Sequence, residues 1–307
     1  MSYDKVSLLL PMNGTNNGTE FPDWSPVPKT VTRHGNTLPI IKTDQSKFYG
    51  SSCFFPNNPS GSSAALGVEL PVAPGAGAFT FRCWFRRPAA ASSMFLFDNR
   101  ATSLYESVSN SNTAFSLYSR GTLSDANKGQ LTVLYGAGST ILQGNTDIQA
   151  NTWHHVEFSR DDSDVMRGFL DGNQQFSATV TNNFSNAFLS IGGINGGVTH
   201  EDRYMQDAEV VIGEALHTAN FTPPARLVGT ISNAAVGAGK ILDVNGDPAE
   251  RTVIAVPRSA PVRIWSDVSN ASGEFSIQAP AGIDHSVVAL ADEATLYNDI
   301  VHRVIPE

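Results

Sequence analysis

The chain of 307 residues is short of cysteine, of positive charge and of long apolar runs, and each shortage excludes a class of protein. Only two cysteines occur, Cys53 in SSCFFP and Cys83 in FTFRCWF, with no CxxC spacing for a zinc ribbon or a redox motif. They read as small buried hydrophobes with free thiols, a disulfide between them being the alternative. The 20 lysines and arginines are outnumbered by 29 aspartates and glutamates, and they are scattered. No basic stripe is present to neutralise phosphates, so no nucleic-acid partner is expected. No stretch approaches the ~18 apolar residues that would span a bilayer, so no membrane insertion is expected. The apolar stretch Val6 to Leu10, with Ser7 inside it, is too short for a signal peptide's apolar region and has no small-residue cleavage site after it. Export by the common route is therefore not expected, and Asn13-Gly14-Thr15 and Asn17-Gly18-Thr19 read as turns rather than glycan sites.

Nucleophile and cofactor motifs are missing too. There is no GxSxG elbow, no HExxH and no phosphate loop, and the clusters GAGAF and GAGK are isolated turn glycines. DVNGDPAE (243–250) spaces Asp243, Asn245 and Asp247 like the first ligands of an EF-hand loop. The twelfth position is Ile254, which cannot ligate, and the Asn-Gly pair predicts a hairpin turn instead.

What the chain has in abundance is strand signal. Runs such as FTFRCWF, SMFLFD, AFSLYS, QLTVLYG, HHVEFSR, RGFLDG and AFLSIGG recur between clusters of Gly, Asn, Ser, Asp and Pro. No segment keeps a 3.6-residue apolar period for more than two turns, so the fold is expected to be all-β with at most short helical pieces. At 41% apolar residues the chain can bury a core. TANFTPPARL (218–227) breaks the rhythm with two prolines. Beyond it LVGTIS, RTVIAVP, VRIWSD, GEFSIQAP and SVVALAD come at about ten-residue spacing, as in a small β-sandwich. Two domains are expected, residues 1–225 and 226–307.

NTWHHVEFSRDDSDVMRGFLDG (151–172) tests whether adjacent histidines beside acidic residues mean chemistry. Strand alternation puts His154, Val156 and Phe158 on one face and Trp153, His155 and Glu157 on the other. The two imidazoles then point apart and cannot share a metal. DDSD is read as a hairpin turn and Asp171-Gly172 as a second turn signal.

In order along the chain, AFTFRCWFRRP, NTWHHVEFSRDDSDVMRGFLDGNQ, LSIGG and YMQDAEVVIGEALHTANFTPP resemble the laminin G-like branch of the concanavalin A-like lectin and glucanase superfamily. The opening YDKVSLLLPMNGTNNGTEFPDWSPVPKTVTRHGN, with SKFYGSSCFF, is similar to the version found in tailed bacteriophage structural proteins. The resemblance covers about residues 3–224. It implies a two-sheet antiparallel jelly roll in which the first strand meets the DAEVVIG strand. The C-terminal part resembles the carboxypeptidase regulatory-like, transthyretin-like (Ig-like) sandwich, and its YNDIVHRVIP tail is similar to one that recurs in phage virion proteins.

The pairing implies a bacteriophage virion structural protein, assembled in the host cytoplasm. A tail fibre or tail-tip component that attaches to a host-surface glycan comes first; a head fibre, a capsid decoration protein or a free carbohydrate-binding adhesin is the alternative. Other virion proteins, and further copies of this chain in a homo-oligomer, with a trimer as the form such appendages suggest, are the expected partners. Glucanases of the superfamily carry an E-x-D-x-x-E strand, and none is found here: Glu201 and Asp202 are adjacent and would diverge on a strand. The protein is expected not to be an enzyme. For sugar stacking the candidates are Trp24, Tyr105, Tyr118 and Tyr204, which lie near polar loops, while Trp84 and Trp153 sit in strand motifs and read as structural. Laminin G-like relatives often hold Ca²⁺ at a sheet edge, which marks Asp23 and Asp207 as the ligand positions to watch. Asn13 stands where the phage versions often have aspartate.

Overall fold

The computed structural model describes residues 3–58, 62–87, 93–101, 103, 108, 110–121, 129–137, 140–195, 202–234, 239–243, 245–259, 263–290, 300–304 (backbone) and 306. The chain divides into two compact units, Lys5–Ala225 and Arg226–Glu307, the second of which also takes Tyr3 and Asp4. Apart from a 3-10 turn at Tyr3–Lys5, the regular structure among the described residues is all strand.

The strands of the first unit are β1 (Val6–Leu10), β2 (Thr32–His34), β3 (Ile40–Lys42), β4 (Ser52–Phe55), β5 (Ala65–Glu69), β6 (Phe79–Arg86), β7 (Met94–Asp98) and β8 (Phe115–Arg120). They continue as β9 (Gln130–Tyr135), β10 (Thr140–Gln143), β11 (Trp153–Arg160), β12 (Val165–Leu170), β13 (Asn173–Thr179), β14 (Phe188–Ile191) and β15 (Arg203–Ile212). An eight-stranded sheet runs β13-β12-β11-β6-β15-β4-β3, with β1 also paired to β15. A seven-stranded sheet runs β10-β9-β8-β7-β14-β5-β2. The first strand therefore meets DAEVVIG, with Val6 opposite Val211. This is a concanavalin A-like jelly roll.

Alternation decides what lies between the sheets. In β6, Phe79, Phe81, Cys83 and Phe85 enter the core, while Thr80, Arg82, Trp84 and Arg86 take the other face. Phe81, Phe115 and Phe158 gather around Phe79 with ring centroids 5.4–6.0 Å from it, in a packing of aromatic edges and faces that adds to the burial of each side chain. Each such ring contributes roughly 1.5–3 kcal/mol by leaving water. Cys53 and Cys83 lie in this core as free thiols, and burial pushes both well above the ordinary thiol range.

The DDSD hairpin forms through Asp161, whose Oδ1 accepts the amides of Ser163 and Val165 while Oδ2 accepts Nη1 of Arg167 at 2.6 Å. At the next turn Asp171 (φ 49°) and Gly172 (φ 78°) are both left-handed. Glycine is required at the second position, because a Cβ there would stand 1.9 Å from the carbonyl oxygen of Phe221.

The second unit has β16 (Val228–Ser232) paired with β19 (Ser276–Pro280), and a four-stranded sheet in the order β18-β17-β20-β21. The latter comprises β17 (Thr252–Pro257), β18 (Trp265–Val268), β20 (His285–Ala289) and β21 (Ile300–Val304). Val253 and Ala255 on β17 and Ile277 and Ala279 on β19 are buried at alternating positions, and Val228 and Ile231 of β16 are buried with them. Asp243 anchors a turn: its Oδ1 accepts the amides of Asn245 and Asp247, and Gly246 is left-handed at φ 87°.

Candidate functional site

The outward face of the seven-stranded sheet carries a patch centred on Tyr118. Leu117 and Ser119 point inward, so Ser116, Tyr118 and Arg120 share the outer face of β8. Register sets Tyr118 opposite Thr132 on β9 and Phe95 on β7, and Thr132 in turn opposite Gln143 on β10. The Phe95 and Tyr118 rings lie 5.6 Å apart, and both are half-buried. Arg120 is exposed and donates from Nη1 to Gln143 Oε1 at 2.8 Å; the Gln143 amide then donates to Gln130. Arg100 turns back over Asp98, donating from Nε and Nη2 to its Oδ2 at 2.9 and 2.7 Å, and from Nη1 to Asn110 Oδ1 at 3.0 Å. Burial pushes the Tyr118 phenol above its ordinary range, against the opposing pull of Arg120 and Arg100. It stays a neutral hydroxyl. Ser116 Oγ, fully buried in the row between Leu134 and Asp98, has no hydrogen-bond partner among the described residues.

This arrangement joins an aromatic face, guanidinium and amide groups on rigid strands, which suits a polar ring-bearing ligand better than a reaction. Of the three described aromatic candidates only Tyr118 belongs to it. Tyr204 lies on the eight-stranded sheet, nearly buried, its hydroxyl donating to Asp44 at 2.8 Å and its ring 5.1 Å from that of Phe54. Burial and the neighbouring Asp44 push its phenol far up, so it acts as a packed strut. Trp24 sits in the segment after β1, its amide donating to Leu9 O at 2.7 Å. Tyr105 lies outside the described residues. Phe95, Arg100, Arg120 and Gln143 were not among the residues expected from sequence.

The two expected calcium positions have other work. Asp23 is buried, and its carboxylate accepts the amides of Leu9, Ser25 and Lys29 and the hydroxyl of Ser25, with Lys29 Nζ 3.3 Å away. Those donors point at it from several sides, whereas a calcium ion wants six to eight oxygens. Asp207 accepts the Tyr49 hydroxyl on both oxygens, at 2.9 and 3.1 Å. Among the described residues no three histidine, cysteine or acidic side chains come together as a metal site. Asp23 does not fit the ion: it pins the 23–29 turn to β1. Transfer from 5 mM CaCl₂ (an assay concentration of about the millimolar order typical of extracellular modules) to EDTA should leave the melting temperature unchanged within about 1 °C; a clear drop on chelation would show a bound ion.

In the eight-stranded sheet the adjacent histidines diverge to opposite faces. His154 Nδ1 lies 2.7 Å from Asp171 Oδ2, and its Nε2 lies 3.2 Å from Gln149 O. His155 is buried on the opposite side between the rings of Trp84 and Phe221, 5.3 and 5.8 Å away. Beside it Arg82 stands in register between Glu157 and Glu209. It pairs with Glu209, while Glu157 faces His217 Nδ1 at 2.9 Å. Both carboxylates are almost fully buried and already paired, so neither faces a cleft.

Burial, with Arg82 and His217 nearby, holds His155 well below the ordinary histidine range. The unfolded chain therefore binds this proton first, and stability falls as pH drops below about 6.5, by up to about 1.4 kcal/mol per pH unit. Urea unfolding between pH 7.5 and 5.5 should show that loss, and His155→Gln should flatten it; an equal slope in both proteins would remove His155 as the cause.

These two packed sheets, with a polar and aromatic patch on the outer face of one, define a lectin-like jelly roll. Residues 60–211 match the model of the concanavalin A-like lectin/glucanases superfamily. No curated protein matches the chain. Among solved structures, the binding domain of botulinum neurotoxin serotype D/C VPI 5993 is similar at 10% identity and a TM-score of 0.51, over 97% of this chain and 74% of that one. The binding domain of botulinum neurotoxin DC, solved in complex with rat synaptotagmin II, is similar at 11% identity and 0.50, over the same 97% and 74%. Domain 4 of AbnA, a GH43 extracellular arabinanase from Geobacillus stearothermophilus solved with arabinotriose, has 15% identity and a TM-score of 0.47, over 68% of this chain and 93% of that one. At such identities the likeness is one of fold.

Proposed function

We propose that this protein recognises carbohydrate without catalysis, through the Tyr118 face of its lectin-like unit, as a structural component of a bacteriophage tail fibre or tail tip. The observation that carries the reading is the patch itself: Phe95 and Tyr118 in ring contact beside Arg100, Arg120 and Gln143, on the sheet of a lectin-like fold. Aromatic faces beside amide and guanidinium donors are what a sugar's apolar face and hydroxyls require. Glycoside hydrolysis needs two carboxylates flanking a bound sugar, and the sealed Glu157 and Glu209 do not meet that need. The virion setting rests on the ordered resemblance of the two units to phage modules, the second of them transthyretin-like. A homo-oligomer, with the trimer as its suggested form, would multiply weak sites into firm attachment.

Two experiments divide the reading. Binding of the whole protein to an array of bacterial surface polysaccharides tests recognition, and no signal above background would end it. Electron microscopy of particles labelled with an antibody against residues 226–307 tests the setting. Label at the tail tip is expected; absence of the protein from purified particles would overturn the virion role.

A further inference from the structure

The Tyr118 patch has a charge that the rest of the chain does not lead one to expect. The protein carries nine more acidic than basic side chains. Yet the described charged side chains that meet around Tyr118 are two guanidiniums and one carboxylate, Arg100, Arg120 and Asp98. Among the described residues the next carboxylate on the outer face of this sheet is Glu69 on β5, two strands from β7. The two arginines are held differently. Arg100 is fixed by Asp98 and Asn110. Arg120 is exposed, and among the described residues its guanidinium makes one hydrogen bond, to a neutral amide oxygen, which leaves other donors of its planar fork open. A guanidinium that is anchored but not neutralised, beside an aromatic ring, is matched by a carboxylate in bidentate contact.

We infer that this face selects saccharides bearing carboxylate groups, with a sugar ring laid on Tyr118 and the carboxylate held by Arg120, whose charge Asp98, taken by Arg100, leaves unpaired among the described residues. The inference rests on the proposed recognition role and names its ligand class. Ser116 Oγ, buried in the same face without a partner, is a further polar group available when a ligand or water reaches the row. An acidic chain also gains from this polarity as a filter, because its net negative charge repels polyanions everywhere except where a local cation offsets it.

The test uses the full-length protein and an array in which each uronate-bearing bacterial polysaccharide is printed beside its methyl-esterified form, identical except for the charge. The bound set should consist of the acids, with esterification weakening binding at least tenfold. For an acid so identified, titration calorimetry of Arg120→Gln should show a similar tenfold loss, reduced at high salt, with the melting temperature unchanged. Binding of esters as tightly as acids, or an Arg120→Gln protein that binds like the parent, would overturn the acidic preference and leave carbohydrate recognition standing. Failure to bind any acid or ester would overturn both.

Discussion

Replacing Arg160 with alanine is expected to cost the first unit about 4 kcal/mol, enough to leave many domains unfolded at 37 °C. Arg160 is fully buried at the end of β11, and its guanidinium bridges two loop segments. Nε and Nη2 reach Gly77 O at 3.1 and 2.9 Å, Nη2 reaches Gly75 O at 2.6 Å, and Nη1 reaches Asn182 O at 2.6 Å and Val180 O at 3.4 Å. The same group lies 5.1 and 5.2 Å from the ring centres of Phe79 and Phe184, so it joins the aromatic core to the loops that cap it. Alanine would leave four carbonyls without this donor and a void where the stem packed. Lysine would rescue little, because a single ammonium cannot span the same carbonyls as a planar fork. Denaturant unfolding measures this directly. A loss below about 1 kcal/mol would mean that water replaces the guanidinium at little cost, and that the loops are not held from β11.

Arg82→Ala should have a comparable effect for a different reason. Arg82 sits between Glu157 and Glu209 on the covered outer face of the eight-stranded sheet and pairs with Glu209. Removing one member of a buried ion pair strands the other charge, at about 3–5 kcal/mol. The cause can be separated from lost packing by adding Glu209→Gln. The double variant should recover part of the loss, because an amide is far cheaper to bury than an unpaired carboxylate. If the double variant is no more stable than Arg82→Ala, the packing of the arginine stem is the source and the charge argument fails.

Much of the fold was legible in the sequence, and the reason is period two. FTFRCWF, HHVEFSR and AFSLYS alternate apolar and polar side chains, and each appears as a strand whose apolar set enters the core, with the other face of the first two covered as well. The divergent histidines followed from the same rule. Strands β2, β3, β10 and β13 were not foreseen, because TRH, IIK and TILQ are very short and NQQFSAT carries a mostly polar surface. Pairing with a neighbour, and not local propensity, makes them strands.

The candidate site was only partly legible. Tyr118 could be picked out as an aromatic near polar loops. Its partners could not, because Phe95, Gln143 and Arg100 reach it across strands in a register that one sequence does not reveal. Arg120 is different: it lies two residues from Tyr118 on the same strand, so parity alone could have found it. Asp23 shows a different limit, since a carboxylate that accepts backbone amides in a turn has the same sequence signature as one that binds a cation.

The central claim is that recognition occurs on the Tyr118 face, and it is tested most directly by titrating an array-selected polysaccharide into Tyr118→Ala and Tyr204→Ala proteins. Tyr118→Ala should bind at least tenfold more weakly while melting like the parent, and Tyr204→Ala should keep the parent's affinity whatever it loses in stability. Parent-like binding by Tyr118→Ala would contradict the account and move the site off the seven-stranded sheet.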